Sequence, residues 1–183
     1  MKKAFMIHGF EGSPNGGWRP WLMGELEKDD IYSCALSMPT PDDPKLDEWV
    51  DEIQIHVDRN KNDEIYLVGH SLGVPAILRF LETSSTKVKG VVLVSGPLHT
   101  TDNEKVNRFF LTPFDFNAIK SNSEKFLVIH GDNDTRVPLS DAVEFQKIFG
   151  CELIVIKNGG HLNGSSGWTK LPELLEGLQK MMI

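Results

Sequence analysis

The sequence has little cysteine, no long apolar run and a deficit of positive charge. Only Cys34 and Cys151 occur among 183 residues, so we expect no disulfide framework of the kind that staples small secreted domains. No stretch approaches the roughly 18 consecutive apolar residues of a membrane-spanning helix. The apolar run after Met1-Lys2-Lys3 is also too short for a signal peptide. A cytoplasmic protein without a membrane segment is therefore expected.

Acidic side chains outnumber basic ones, with 26 Asp and Glu against 19 Lys and Arg and a formal net charge of -7. This balance disfavours nucleic acid and anionic membranes as partners, because both attract basic surfaces. A small-molecule substrate is the more consistent expectation. The length and the 40% hydrophobic content suit a single domain over residues 1–183, with one sizeable core.

Six short apolar runs predict the strands of a sheet. Their apolar residues are continuous rather than alternating, as expected of parallel strands covered on both faces. The runs are Ala4 to His8, Ile31 to Leu36, Glu64 to Gly69, Gly90 to Ser95, Lys125 to His130 and Glu152 to Lys157. Segments with helical spacing lie between them, including helices from about Ser140 to Phe149 and from about Leu171 onward. This alternation predicts a three-layer α/β/α domain with right-handed crossovers.

The pentapeptide Gly69-His70-Ser71-Leu72-Gly73 lies between the third apolar run and an apolar helix. This is the context of a nucleophile elbow, a strained turn that projects a serine hydroxyl above the sheet. The flanking glycines let strand and helix approach closely. The alternative is a glycine-rich packing turn, because the bare motif also recurs by chance.

A serine nucleophile needs a base and a carboxylate that orients the base. His161 follows the last strand in a glycine-rich loop, at the carboxyl edge where open α/β sheets gather catalytic groups. We therefore predict His161 as the base. His8 and His130 end strands, which favours structural or oxyanion-loop roles, and His70 points the wrong way for a base by strand alternation. His56 lies on a predicted helix face and is expected to be solvated, while His99 could at most line the site.

Two aspartates in the loop after the fifth strand compete for the role of the acid. Asp134 stands clear of the strand, whereas Asp132 is better placed to stabilise the turn through nearby amides. We favour Asp134, and the chain order Ser71, Asp134, His161 is that of α/β-hydrolase triads.

The loop His8-Gly9-Phe10-Glu11-Gly12 after the first strand is glycine-rich and lies at the same predicted edge. In an acyl-transfer site the backbone N–H groups of Leu72 and Phe10 would form the oxyanion hole. A phosphate-binding loop is the alternative, but the Lys-Ser/Thr ending of a P-loop is absent.

These motifs resemble those of α/β-hydrolases, and almost the whole chain resembles the small serine hydrolases of the retinoblastoma-binding-protein-9 group and their bacterial relatives. The shared features are Trp18 and Trp21 after the first loop, Gly-His-Ser-Leu-Gly, Leu-Val-Ser-Gly at 93–96, Thr-Pro-Phe-Asp-Phe at 112–116, Asp-Thr-Arg-Val-Pro at 134–138 and Gly-Gly-His at 159–161. The resemblance implies a minimal α/β-hydrolase fold with a mostly or wholly parallel sheet of about six strands and no large cap. It also implies that the second strand lies at the sheet edge, followed by the first, third, fourth, fifth and sixth.

We expect a serine hydrolase that cleaves small carboxylic esters through an acyl-enzyme, with no cofactor and no metal. His8, Gly9, His70 and Phe114 are the predicted substrate-site residues. The phenylalanines between 109 and 116 either form an acyl or alcohol pocket or simply cover the sheet edge. Amidase or thioesterase chemistry with the same triad stays open. A protein-binding module with weak or incidental hydrolase activity is the alternative from another class, although no motif indicates a protein partner.

Overall fold

The computed structural model describes residues 1–183 and contains one sheet of six parallel strands. The strands are β1 (Lys2–Ile7), β2 (Tyr32–Ala35), β3 (Glu64–His70), β4 (Gly90–Val94), β5 (Phe126–Gly131) and β6 (Glu152–Ile156). Their order in the sheet is β2-β1-β3-β4-β5-β6. The predicted parallel sheet and its strand order are confirmed, and each strand end lies within two residues of its expected position.

Helices cover both faces of the sheet. They are α1 (Arg19–Lys28), α2 (Leu46–Arg59), α3 (Gly73–Thr83), α4 (Glu104–Asn107), α5 (Phe116–Ser121), α6 (Leu139–Phe149) and α7 (Pro172–Met181). The helices α1 and α7 pack on one face, and α2, α3 and α6 pack on the other. The predicted three-layer arrangement is thus confirmed, and none of these helices is long and apolar enough to cross a membrane.

The two faces of the sheet bury separate clusters of apolar side chains, one of 26 residues and one of 18. Successive residues of a strand point to opposite faces. In β3, Ile65 and Leu67 therefore join the larger cluster, while Tyr66 and Val68 join the smaller one. Burial on both sides explains why the central strands are continuous in apolar residues.

The carboxyl ends of the parallel strands all lie at one edge of the sheet, and the loops after β1, β3, β5 and β6 meet there. Between β4 and β5 the chain forms only α4, a single 3₁₀ turn at Arg108–Phe110 and α5. No large cap covers the edge, so the site built from these loops is open to solvent.

Candidate active site

Ser71 occupies the sharp turn between β3 and α3. Its φ angle is 53°, in the left-handed region that non-glycine residues rarely adopt, at a typical cost of about 1–3 kcal/mol. The backbone N–H of Ser71 donates to the carbonyl of Val94 at 3.0 Å, and its own carbonyl accepts from Val74 at 2.9 Å. These bonds hold the strained turn, as a nucleophile elbow requires.

The glycines on either side of the turn allow a close approach of backbone to backbone. A Cβ atom on Gly69 would lie 2.8 Å from the carbonyl oxygen of Gly73. A Cβ on Gly73 would collide with the carbonyl of Ile7 at the end of β1. Larger residues at either position would push α3 away from the sheet and move Ser71.

His161 and Asp134 form a hydrogen-bonded pair beside this turn. Nδ1 of His161 donates to Oδ2 of Asp134 at 2.8 Å, and the Asp134 side chain is fully buried. With the Nδ1 proton held there, Nε2 is left as an acceptor for the proton of a serine hydroxyl. Ser71 and His161 share the walls of the same cleft but form no hydrogen bond in this structure.

Asp134 is held ionised by the donors around it. Burial alone raises the pKa of this carboxyl, but the hydrogen bond from His161 and those from the backbone amides of Arg136 and Val137 outweigh burial and lower the pKa below its usual value. The two amides donate to Oδ1 at 2.8 and 3.1 Å. Nε2 of His130 lies 3.6 Å from Oδ2 on the other side.

The loop that carries His161 is fixed by the two residues that precede Asp134. Oδ1 of Asp132 accepts from the backbone N–H of Asn158 at 2.7 Å, and Oδ1 of Asn133 accepts from that of Gly160 at 2.7 Å. Three successive side chains of the loop after β5, those of Asp132, Asn133 and Asp134, therefore hold the loop after β6 from Asn158 to the imidazole of His161. Asp132 therefore holds an amide of the neighbouring loop, and not an amide of its own turn as the sequence suggests.

Ring nitrogens anchor the carbonyls of the same loop. Trp168 donates to Gly159 at 2.7 Å, His70 donates to His161 at 2.9 Å and Trp18 donates to Leu162 at 2.9 Å. Side chains from several parts of the chain thus fix both the amides and the carbonyls around the imidazole. Such support holds the imidazole in one orientation, as a preorganised site requires.

The backbone N–H groups of Phe10 and Leu72 donate to no acceptor within the protein. Phe10 lines the cleft beside Ser71, and Leu72 is the residue directly after the turn. Because nearly all backbone N–H groups in proteins find a partner, two free donors beside a serine are suited to a developing oxyanion.

Two cavities flank Ser71 and His161. One has a volume of about 370 Å³ and is lined by polar side chains and glycines, with Phe10 as its single hydrophobic residue. The other, of about 280 Å³, includes Val106 and Val137. The first volume is at the small end of the range of about 300–1,000 Å³ for ligand sites, and the second is just below it. A reacting carbonyl at Ser71 would have room for one substituent on each side.

Of the predicted substrate-site residues Gly9, His70 and His8, the structure places only the first two at the cleft beside Ser71. Gly9 and His70 line the larger cavity. His8 is buried away from it, with Nδ1 donating to Gly9 at 2.8 Å and Nε2 accepting from Met38 at 3.4 Å. Contact of these residues with substrate stays a prediction, and the geometry of His8 favours support of the Gly9 backbone.

Phe114 lies in a separate depression that contains none of Ser71, Asp134 and His161. Its ring stacks on the Arg79 guanidinium at 3.9 Å, and Arg79 also donates to the carbonyls of Phe109 and Thr112. This arrangement favours the covering role of the phenylalanine cluster over a substrate pocket.

Sequence reasoning missed Arg19 and Asn133. Arg19 is buried yet lines the larger cavity, and Asn133 supports the His161 loop. Neither belongs to a motif, although an asparagine between two candidate acids is a position that a turn-and-loop analysis could have noted. No group of three or more His, Cys, Asp and Glu side chains is placed to hold a metal ion.

A parallel sheet with these loops at its carboxyl edge and a serine on a strained strand-to-helix turn defines an α/β-hydrolase. The chain belongs to the serine hydrolase family, whose family model matches residues 4–180. The resemblance suggested by the sequence motifs is thereby confirmed.

Similar proteins extend over nearly the whole chain. The Bacillus subtilis protein YdeN, named as a hydrolase, is 33% identical over 174 residues, which are 93% of this chain and 91% of YdeN. Its crystal structure superposes with a TM-score of 0.93, covering 100% of this chain and 99% of that one. The serine hydrolase RBBP9 of Rattus norvegicus is 26% identical over 98% of this chain and 95% of its own. Est1E of Butyrivibrio proteoclasticus, 19% identical, shares the fold with a TM-score of 0.77, covering 99% of this chain and 86% of Est1E.

Proposed function

We propose that this serine hydrolase cleaves small carboxylic esters, with Ser71 as nucleophile, His161 as base and Asp134 as the acid that orients it. The observation that carries the proposal is the 2.8 Å hydrogen bond between His161 and the buried Asp134, in a cleft whose wall includes Ser71. The proposal treats residues 1–183 as one domain, supported by the single sheet. Two free thiols suit a reducing compartment such as the cytoplasm.

The proposed reaction proceeds in two balanced steps. Oγ of Ser71 attacks the ester carbonyl while Nε2 of His161 takes the hydroxyl proton, and the amides of Phe10 and Leu72 bind the oxyanion. The alcohol leaves with that proton and an acyl-serine remains. Water then attacks the acyl-serine with the same proton shuttle, releasing the acid and restoring Ser71.

A fluorophosphonate probe tests the nucleophile directly. We expect the wild-type protein to be labelled and Ser71→Ala not to be. Ser95→Ala is a matched control. Ser95 also directly follows a strand and has a positive φ of 45°, but its side chain is completely buried and out of reach of the probe. Equal labelling of Ser71→Ala and wild type, or no labelling of either, would overturn the proposal.

A turnover screen tests the substrate class. Para-nitrophenyl esters of increasing acyl length are compared with anilides and thioesters of the same acids. We expect short esters to be the fastest, because both cavities beside Ser71 are small. A higher kcat/KM for the anilides or thioesters would replace ester hydrolysis by amidase or thioesterase activity.

A further inference from the structure

The guanidinium of Arg19 is buried at the wall of the catalytic cleft without a counter-ion. Arg19 lies in the first turn of α1 and is only 6% exposed. No carboxylate oxygen lies within 4.0 Å of its nitrogens. The other buried arginine, Arg79, does pair with a glutamate, Glu82, at 2.8 Å. Its nearest compensation in the chain is the ring of Trp18, whose centroid lies 5.5 Å from Cζ and which carries no net charge. Buried charges are normally paired with an opposite charge, so this one has room for an anionic partner from outside the chain.

Most of the donors of this guanidinium are unused. Its single hydrogen bond runs from Nε to the carbonyl of Ser13 at 3.1 Å. Nη1 and Nη2 have no acceptor, yet neither is sealed inside the protein, since both retain access to solvent. Arg19 lines the cleft, and these two nitrogens are its donors that remain free. The Nη1–Nη2 edge has the geometry to bind the two oxygens of a carboxylate.

The position of Arg19 costs the protein free energy that an anion would offset. Burial lowers the pKa of Arg19 to about 10, because the cation has lost part of its hydration. Gly16 packs against it closely enough that a Cβ there would lie 2.6 Å from Nη2. The side chain is thus held in place by the loop before α1 and is not free to swing into solvent.

The surroundings of the cleft agree with a negatively charged ligand. In a chain of net charge -7, two arginines without salt bridges, Arg19 and Arg136, line this one cavity. The hydroxyl of Ser13 and the amide of Asn163 add neutral polar groups. Glu11 is the one acid on the wall, and it is exposed and forms no ion pair with Arg19.

We propose that Arg19 forms an anion-binding subsite of the catalytic cleft and that the substrate is an ester bearing a second, ionised carboxylate, which pairs with the Nη1–Nη2 edge. This inference rests on the proposed ester hydrolysis and specifies its substrate class. A monoanion matches Arg19, the one buried cation of this cavity, because Arg136 is exposed and water screens its charge.

Two pairs of esters, matched in shape but not in charge, test the subsite on either side of the ester bond. Para-nitrophenyl hydrogen adipate is compared with its methyl ester, and para-carboxyphenyl acetate with its methyl ester. For at least one pair we expect kcat/KM to favour the charged ester by about tenfold or more. A preference for the neutral ester in both pairs would overturn the proposal.

Variants assign the preference to one side chain. Arg19→Gln should lower the charged-to-neutral ratio by about 10- to 100-fold, with Arg19→Lys between it and wild type. Arg59→Gln, an equal charge change at the exposed end of α2, should leave the ratio at the wild-type value. If Arg59→Gln or Arg136→Gln lowers the ratio as much as Arg19→Gln, the effect is a general field and the subsite is excluded.

A binding measurement on the wild-type protein separates this inference from the hydrolase proposal and needs no folded variant. We expect propionate, but not propionamide, to shift the Nε–H resonance of Arg19 in an NMR titration. Inorganic phosphate should shift it less than propionate does; a stronger shift with phosphate would replace the carboxylate. If the probe labels Ser71 but propionate does not shift the Arg19 resonance, the hydrolase proposal holds and the anion subsite is excluded. If propionate shifts the resonance but the probe labels nothing, the anion site exists and the hydrolase proposal is excluded.

Discussion

Nδ1 of His161 lies 2.8 Å from Oδ2 of Asp134, and the loops that carry them are joined by two further hydrogen bonds, from the backbone amides of Asn158 and Gly160 to the side-chain oxygens of Asp132 and Asn133. The carboxylate that orients the imidazole is therefore distinguishable from the one that only holds the loop.

Asp134→Asn should lower kcat on a para-nitrophenyl ester by roughly three to four orders of magnitude. An amide in that position favours the wrong imidazole tautomer, so Nε2 can no longer accept the Ser71 proton. Asp132→Asn is the matched control, because its side-chain oxygen can still accept from Asn158. Its kcat should stay within about tenfold of wild type. The reverse order of effects in steady-state kinetics would make Asp132 the acid.

Gly9→Ala should impair ester hydrolysis without unfolding the protein. The added Cβ would lie 2.9 Å from Cβ of Ser71 and 3.3 Å from its Oγ, so either the loop after β1 or the serine must shift. A displacement of about 1 Å at a reacting group can cost 100-fold, and we expect a loss of that order in kcat/KM. Gly24→Ala serves as control, since its Cβ would meet nothing within 4 Å. Wild-type kinetics for Gly9→Ala would show that this approach does not constrain Ser71.

Most of the fold was accessible from the sequence because both faces of the sheet are buried. Strands covered on both sides are continuous in apolar residues, and such runs have sharp ends at the loops. The sequence predicts that the helix from about Ser140 ends at Gly150. In the structure α6 does end there, and Gly150 turns the chain with a φ of 62°, a conformation that glycine adopts without strain. At these positions the local preference of the residues and their packing in the fold favour the same conformation. The sequence alone therefore predicts where the strands and this helix end.

The site was accessible only in part, since its contacts join residues far apart in the chain. Ser71, Asp134 and His161 could be nominated because each follows a strand, and the ends of parallel strands converge. The burial of Arg19 could not be predicted, because arginines on short amphipathic helices are usually exposed. It results from the loop before α1 folding over the side chain, which no periodicity in the sequence indicates.

The two helical glycines Gly24 and Gly177 should respond to alanine in opposite directions. Gly24 is exposed in α1 with open space around it, so Gly24→Ala should raise the free energy of unfolding by about 0.5–1 kcal/mol. At Gly177 in α7 the Cβ would collide with Cδ2 of the buried Leu127. Gly177→Ala should therefore lower the free energy of unfolding by about 1–3 kcal/mol. Urea denaturation measures both, and stabilisation by Gly177→Ala would contradict the packing of α7 on β5.

Stability should fall as the pH drops below the ordinary histidine pKa of 6.5. Burial, together with the neighbouring His161, lowers the pKa of His70 to about 3, and burial also lowers the pKa of His8 and His130. Between these values the unfolded chain binds protons that the folded one does not, so protonation favours unfolding. His70→Gln keeps a donor for the His161 carbonyl but cannot titrate. The free energy of unfolding is measured by urea titration at several pH values from 5 to 7. Near pH 5, its slope against pH should be smaller in His70→Gln than in wild type, by the amount that corresponds to the uptake of about one proton on unfolding. An unchanged slope would mean that His70 is not a buried neutral histidine.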